Sequence, residues 1–583
     1  MPRINTNITN PALATIKTAK AFPQNVEIGF EAPMSGGGGL FGGGGGSGRL
    51  KTIHYSISVV PDSTGYQPRV ADQRIGYFTT SFTDLGKFKD DDKRIRYINR
   101  WKIKKADASL KLSQPEEPIR FYIEHTTPDR YRHWVKQGIL YWNKAFENVG
   151  IRDAVVVVQQ DPRIPGGEGH MDKDPEDVRY NFVRWLSNDQ GTAIGPSRVH
   201  PMTGEILDAD IILTDGWIRH YVKQYMEVLP SIAMEGFSPE TLAWLESHPS
   251  WDPRMIFAPP GERARLIAER AARGPQPFGG HPLASAGRSL MGTNEYDGLV
   301  GRTSQVNGLC LAAEGKALDL ELLRMTLELM GEELQEPKED EPKKDEPKKD
   351  DPKKDEKKEE PKKEEPKKEE KPKSDLLDGL PEEFIGPLIA ELVAHEVGHT
   401  LGLRHNFRAS GMHTLADINS AKVKGKPLAG SVMDYLPINI NMKDGEIQGD
   451  YCLMELGPYD MWAIEYGYTH DQNQLKAILD RVASPELQYA TDEDTSGPDP
   501  LARRYDFSAN PLDYAKSQMR LAKHHRERIV EKFVKDGESW GKARRGYEMT
   551  LMLQTRSLSM MAGWVGGAFV HRDKKGDKDA RPP

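Results

Sequence analysis

From Glu336 to Lys373 every residue is Glu, Asp, Lys or Pro: 15 lysines, 16 acids and 7 prolines in 38 positions. Such a run has no apolar side chain to bury, and its recurring prolines interrupt any helix. It reads as a solvated, disordered insert. Whatever core the chain builds must come from the segments on either side, with this stretch looped out. The run also explains the composition. It carries only −1 of the formal net charge of −8, and without it the charged share falls from 29% to about a quarter, the usual globular value. At 583 residues the chain is long enough for two or three domains. No cationic surplus points to nucleic acid, and no apolar stretch of about 18 residues is present to span a membrane. Two cysteines, Cys310 and Cys452, are too few for a disulfide scaffold or a Cys-rich zinc module. Their spacing leaves open whether they pair.

Residues 1–48 close on a glycine-rich run from Ser35 to Gly48, which predicts a disordered segment. The first residues carry Arg and Lys but no apolar run, so they do not read as a secretory signal. Residues 49–117 contain short β-type runs such as KTIHYSISVV and RYINRWKI, the remnant of an upstream β-rich domain. A new unit starts at Pro118. Ile119–His125 reads as a strand. Thr127-Pro128-Asp129 then opens a long helix along which Tyr131, Trp134, Val135, Ile139, Trp142 and Phe146 keep helical spacing. Asp153–Gln160 and Asn181–Ser187 read as strands. Thr192–Val199 and Glu205–Leu213 flank a turn and form a hairpin. This order predicts an α/β layer with a mixed sheet. Trp217–Leu334 is mostly helical, and no purpose can be assigned to it. Helices follow at Glu382–Leu401, Leu512–Val534 and Tyr547–Met561.

The chemistry is concentrated in AHEVGHTLGLRHNF. His395 and His399 are four apart on a helix, so both imidazoles leave one face. Glu396 sits beside the first. Gly402 can take a positive φ and break the helix, which lets His405 return toward the same point. Three neutral imidazoles with a fourth position open describe a catalytic zinc site, and the adjacent carboxylate can take a proton from the water the metal activates. Chance assembly of this pattern in such a chain is roughly 2 in 10,000.

Downstream lies GSVMDYLP, with Met433 and Tyr435. The pair of motifs resembles the metzincin clan of zinc peptidases, whose HExxHxxGxxH is followed by a Met-turn. The phrase HTLGLRHNFRAS and the elements from Ile119 to the GPYDMWAIEYGY helix are similar to the large bacterial Met-zincin peptidases. The resemblance implies an α+β fold: a mixed twisted sheet, a long backing helix, an active-site helix and a helical C-terminal region. It implies a catalytic domain at 118–470, carrying the insert at 336–373, followed by a helical region at 471–583. It implies one zinc ion on His395, His399 and His405, Glu396 as general base, Met433 beneath the metal and Tyr435 reaching toward it. Ala193, Ile194 and Gly195 fall where an edge strand would pair with a peptide or protein substrate. The family is typically exported. Two other readings stand beside the endopeptidase: a silent binding or structural surface protein that keeps its zinc site, and a zinc hydrolase of non-peptide bonds.

Overall fold

A computed structural model describes residues 6–8, 11–36, 49–62, 64–86, 94–187, 193–219, 244–245, 248, 252, 312–330, 376–377, 380–441, 445 and 447–581. The charged run, Cys310 and nearly all of 220–311 lie outside them.

A five-stranded mixed sheet organises the α+β core. Its order is Ala193–Ile194, Ile211–Thr214, Asn181–Leu186, Ile119–Ile123 and Val155–Gln159. The last four run parallel, and Ala193–Ile194 closes the sheet as an antiparallel edge. Parallel strands need helical crossovers. The first is the backing helix, recorded as Asp129–Leu140 and Trp142–Asn148. Its periodic apolar face (Tyr131, Val135, Ile139, Trp142 and Phe146) is fully buried. That face packs on the site helix Glu382–Thr400, whose residues from Ile385 onward are all buried. The Trp134 indole donates to Glu382 at 2.8 Å and the Trp142 indole to the Ala394 carbonyl at 2.9 Å, so the two aromatic anchors also fix the relative height of the helices.

The region before Pro118 departs from the sequence expectation. Residues 1–48 are not uniformly unstructured. Thr15–Ala21 and Asn25–Gly36 form strands, and the second pairs with Arg49–Ser58 over ten residues, from Asn25↔Ser58 to Met34↔Arg49. The glycine run joins two strands of one sheet. This sheet meets the rest of the protein through polar contacts, such as the Asn25 amide donating to the Glu176 carbonyl at 2.7 Å and Lys20 pairing with Asp174 at 2.9 Å.

Nor is Pro118 a packing boundary. Ile75, Tyr77, Ile98 and Ile103 belong to the same buried cluster as the site helix. Arg100–Trp101 pairs in parallel with Glu205–Ala209. The buried Arg69 donates to the carbonyls of Tyr466 and, at 2.7 Å, Thr469. The C-terminal helices Pro511–Arg526 and Gly541–Ala562 share the cluster too, through Tyr514, Leu521, Met552 and Met560. Among the described residues no helix is long and apolar enough to cross a membrane.

A chain beginning at Pro118 is therefore expected to lose cooperative unfolding in calorimetry, because it exposes this apolar cluster and strips donors from the site helix. A chain beginning at Thr64 discards only the N-terminal sheet and should keep the transition.

Candidate metal centre

The site helix ends at Thr400, and Gly402 takes φ of +99°. A side chain there would be strained and would collide with the Asn99 carbonyl oxygen. A helix end leaves carbonyls without partners, and buried ones must be satisfied. Here the donors come from distant segments. The Trp101 indole donates to the Thr400 carbonyl at 2.8 Å, the Tyr468 hydroxyl to Leu401 at 3.0 Å and the Phe78 N–H to Gly402 at 2.8 Å. The reversal carries His405 back over the helix, where its ring centroid lies 4.6 Å from that of His399.

His395, His399 and His405 are all buried, and one ligand atom from each falls within 4.8 Å of the others. Every Nδ1 is committed outward. That of His395 donates to the Val432 carbonyl at 2.7 Å, and that of His399 to the Leu403 carbonyl at 2.9 Å. That of His405 donates to Asp492, at 2.9 and 3.1 Å from its two oxygens. A neutral imidazole that donates through Nδ1 presents a lone pair at Nε2. The Nε2 atoms of His399 and His405 face each other at 3.1 Å. That of His395 is buried with no hydrogen-bond partner among the described residues. Converging lone pairs repel unless a cation lies among them. Zinc–nitrogen bonds of 2.0–2.1 Å place tetrahedral ligands about 3.3 Å apart, close to the 3.1 Å between His399 and His405. The donor set fits zinc.

Electrostatics agree. Burial, then the neighbouring imidazoles, pushes His395 well below its usual range and His399 down to about 3, so these rings stay neutral and able to ligate. Asp492 is buried, which alone would raise its carboxyl. The hydrogen bond it accepts from His405, with the guanidiniums of Arg504 and Arg404, holds it far below the ordinary range instead.

The remaining candidates gather around this cluster. Glu396 is 0% exposed. Gly195 lies against it, so a Cβ there would sit 2.6 Å from the Glu396 carbonyl oxygen and 3.3 Å from Oε2. The edge strand Ala193–Ile194 thus runs directly into the glutamate. Tyr435 places its hydroxyl 2.9 Å from His405 Nε2. Met433 is fully buried and fills the space that Gly398 leaves on the site helix, where any side chain would collide with its sulfur. Its turn is pinned by Asp460, which accepts from the Ser431 hydroxyl at 2.5 Å and the Val432 N–H at 2.9 Å. Burial pushes the Asp460 carboxyl up to about 7 against those donors. Cys452 is buried.

Residues 378–583 match the Met-zincin family model.

The matched stretch holds the three histidines, Met433, Tyr435 and Asp492. Residues 3–106 match a separate model, a domain of unknown function, DUF5117. No curated protein and no solved structure matches the chain. The three buried histidines of the matched stretch fit a metzincin zinc site, and the mixed α/β architecture around them is consistent with a metzincin-like α+β fold.

Asp492, Asp460 and Gly398 are absent from the sequence-based site. Gly398 lies inside the histidine motif and carried a local signal. Asp492 lies 87 residues beyond His405, in a segment with no pattern of its own. Because it is the carboxylate behind a ligating imidazole, Asp492→Asn should weaken zinc binding about 10- to 100-fold. Competition with a calibrated chelator measures this, and circular dichroism should show the fold retained.

Proposed function

We propose that the protein is a zinc-dependent endopeptidase. The observation that carries this reading is the convergence of three buried Nε2 lone pairs, each set by an outward Nδ1 hydrogen bond, beside a buried glutamate. His395, His399 and His405 would hold one zinc ion and leave a position open. When bound, zinc supplies Lewis acidity toward the scissile carbonyl and brings the pKa of water to about 7.

Glu396 takes the proton of the attacking water and delivers it to the leaving amine. Tyr435 serves the developing oxyanion. With His405 Nε2 held by a zinc ion, the phenol would lose that acceptor and be free to donate to the oxyanion. The substrate is a peptide or protein bound as an extended strand. Its support is the edge position of Ala193–Ile194 in the five-stranded sheet, with Gly195 leading onto Glu396. Strand addition at such an edge uses main-chain hydrogen bonds and leaves side chains to set preference.

Elemental mass spectrometry should find about one zinc per chain. Glu396→Gln should keep that zinc and lose hydrolysis of a quenched peptide, because an amide cannot accept the proton. His399→Ala should lose both. Wild-type turnover in Glu396→Gln would sink the mechanism. Zinc without hydrolysis of any protein substrate would favour the silent binding protein, and turnover of a chromogenic ester alone would favour the non-peptide hydrolase.

Tyr435→Phe tests the oxyanion role separately. Zinc should remain, KM should change little and kcat should fall roughly 100- to 1,000-fold. A fall of only a few-fold would reduce Tyr435 to a wall of the pocket.

A further inference from the structure

The helix Ala312–Met330 precedes the charged run, in the stretch to which the sequence assigns no purpose. It buries polar as well as apolar positions. Lys316, Asp319 and Thr326 are all buried, and each reaches a different part of the unit around the histidines. Lys316 pairs with Glu391, one turn before His395 on the same face of the site helix. The Thr326 hydroxyl meets His525 Nε2 at 2.9 Å.

Asp319 makes the most consequential contacts. Its Oδ2 accepts from the Ile438 N–H at 3.2 Å, and its Oδ1 lies 3.4 Å from the Arg556 guanidinium. Arg556 also donates to the Tyr505 carbonyl and lies over the Tyr505 ring, 4.9 Å from its centroid. The Tyr505 N–H then donates to the Tyr435 carbonyl at 2.9 Å. Tyr505 itself has φ of +60°, a left-handed conformation that a bulky aromatic keeps only where its surroundings impose it. Asp319 thus reaches the Tyr435 segment at both ends: directly at Ile438, and through Arg556 and Tyr505 at Tyr435.

That segment needs such holding. Residues 435–441 form neither helix nor strand. Individual hydrogen bonds fix their main chain: Tyr505 to Tyr435, Ile438 to Asp319, and the Asn439 N–H to the Tyr451 carbonyl at 2.9 Å. A phenol projects through two side-chain torsions, so where its hydroxyl sits follows from where this main chain sits.

We propose that Asp319 is a positioning residue of the reaction, holding the chain from Tyr435 to Ile438 so that the phenol is presented beside His405. The inference rests on the peptidase reading, in which that hydroxyl serves the oxyanion. A buried ion pair that served stability alone would lower the melting temperature without touching turnover of the folded protein.

The test uses the full chain with Asp319→Asn, which keeps an acceptor for Ile438 but removes the charge facing Arg556. Arg556→Lys serves as a second variant should the first fail to fold. Both should retain zinc at the wild-type ratio. Assayed well below the melting temperature, kcat should fall roughly 10- to 100-fold with KM nearly unchanged, the scale of a small misplacement of a reacting group. Deuterium exchange should quicken in peptides covering 433–441 and stay unchanged in those covering 385–400. In a Tyr435→Phe background, Asp319→Asn should add little further loss, because the group it positions has gone. Wild-type kcat in both variants, full additivity with Tyr435→Phe, or exchange quickening equally in the two stretches would overturn the proposal. If the wild type cleaves no peptide at all, the peptidase reading falls by itself, and the exchange contrast still decides whether Asp319 holds the segment.

Discussion

The termination of the site helix is the constraint on which the rest depends. His405 can meet His399 only if the chain reverses within the five residues that separate them, and the left-handed Gly402 makes that possible. The reversal buries the carbonyls of Thr400, Leu401 and Gly402, and each would cost about 1–3 kcal/mol if left unpaired. Trp101, Tyr468 and Phe78 supply the donors. A segment from before the five-stranded sheet and a helix from after the Met433 turn therefore converge on one helix end. This explains why residues 64–117 share the core of the histidine unit, although residues 3–106 match a domain model of their own.

The histidine cluster repeats this logic at the level of single nitrogens. His399 is anchored by a carbonyl four residues away, His395 by the turn before Met433, and His405 by a carboxylate 87 residues downstream. One anchor is local, and two exist only after the chain has folded. Together they set all three tautomers. The arrangement is costly without a cation, since buried lone pairs face one another at 3.1 Å. Any ion that binds this state and not the unfolded chain stabilises the fold by mass action, so metal loading and folding are linked here.

The polar groups in the core have a common pattern. Asp460 pins the turn under the helix, Asp492 backs an imidazole and Asp319 braces the chain after Tyr435. Buried carboxylates are expensive unless met by donors. These three are met largely by main-chain N–H groups, by an imidazole and by arginines. They hold irregular chain in place where no helix or sheet ladder could do so.

The sequence by itself determined whatever depends on neighbours along the chain. The spacing of His395 and His399, the helix breaker at Gly402, the buried face of the backing helix and the order of strand and helix runs are all legible locally. They predicted an α/β layer with a mixed sheet and the histidine constellation, and the metzincin resemblance added the α+β class. The tertiary structure alone decided what depends on distant partners. The ten-residue pairing of Asn25–Met34 with Arg49–Ser58 spans a glycine run that reads locally as a stop, which is why residues 1–48 looked structureless. Packing crosses Pro118 unannounced because the donors for the helix end are ordinary aromatic and amide groups without any motif. Asp492 and Asp319 were invisible for the same reason. A single carboxylate carries no pattern, and only packing brings it to the one nitrogen or N–H that gives it a role.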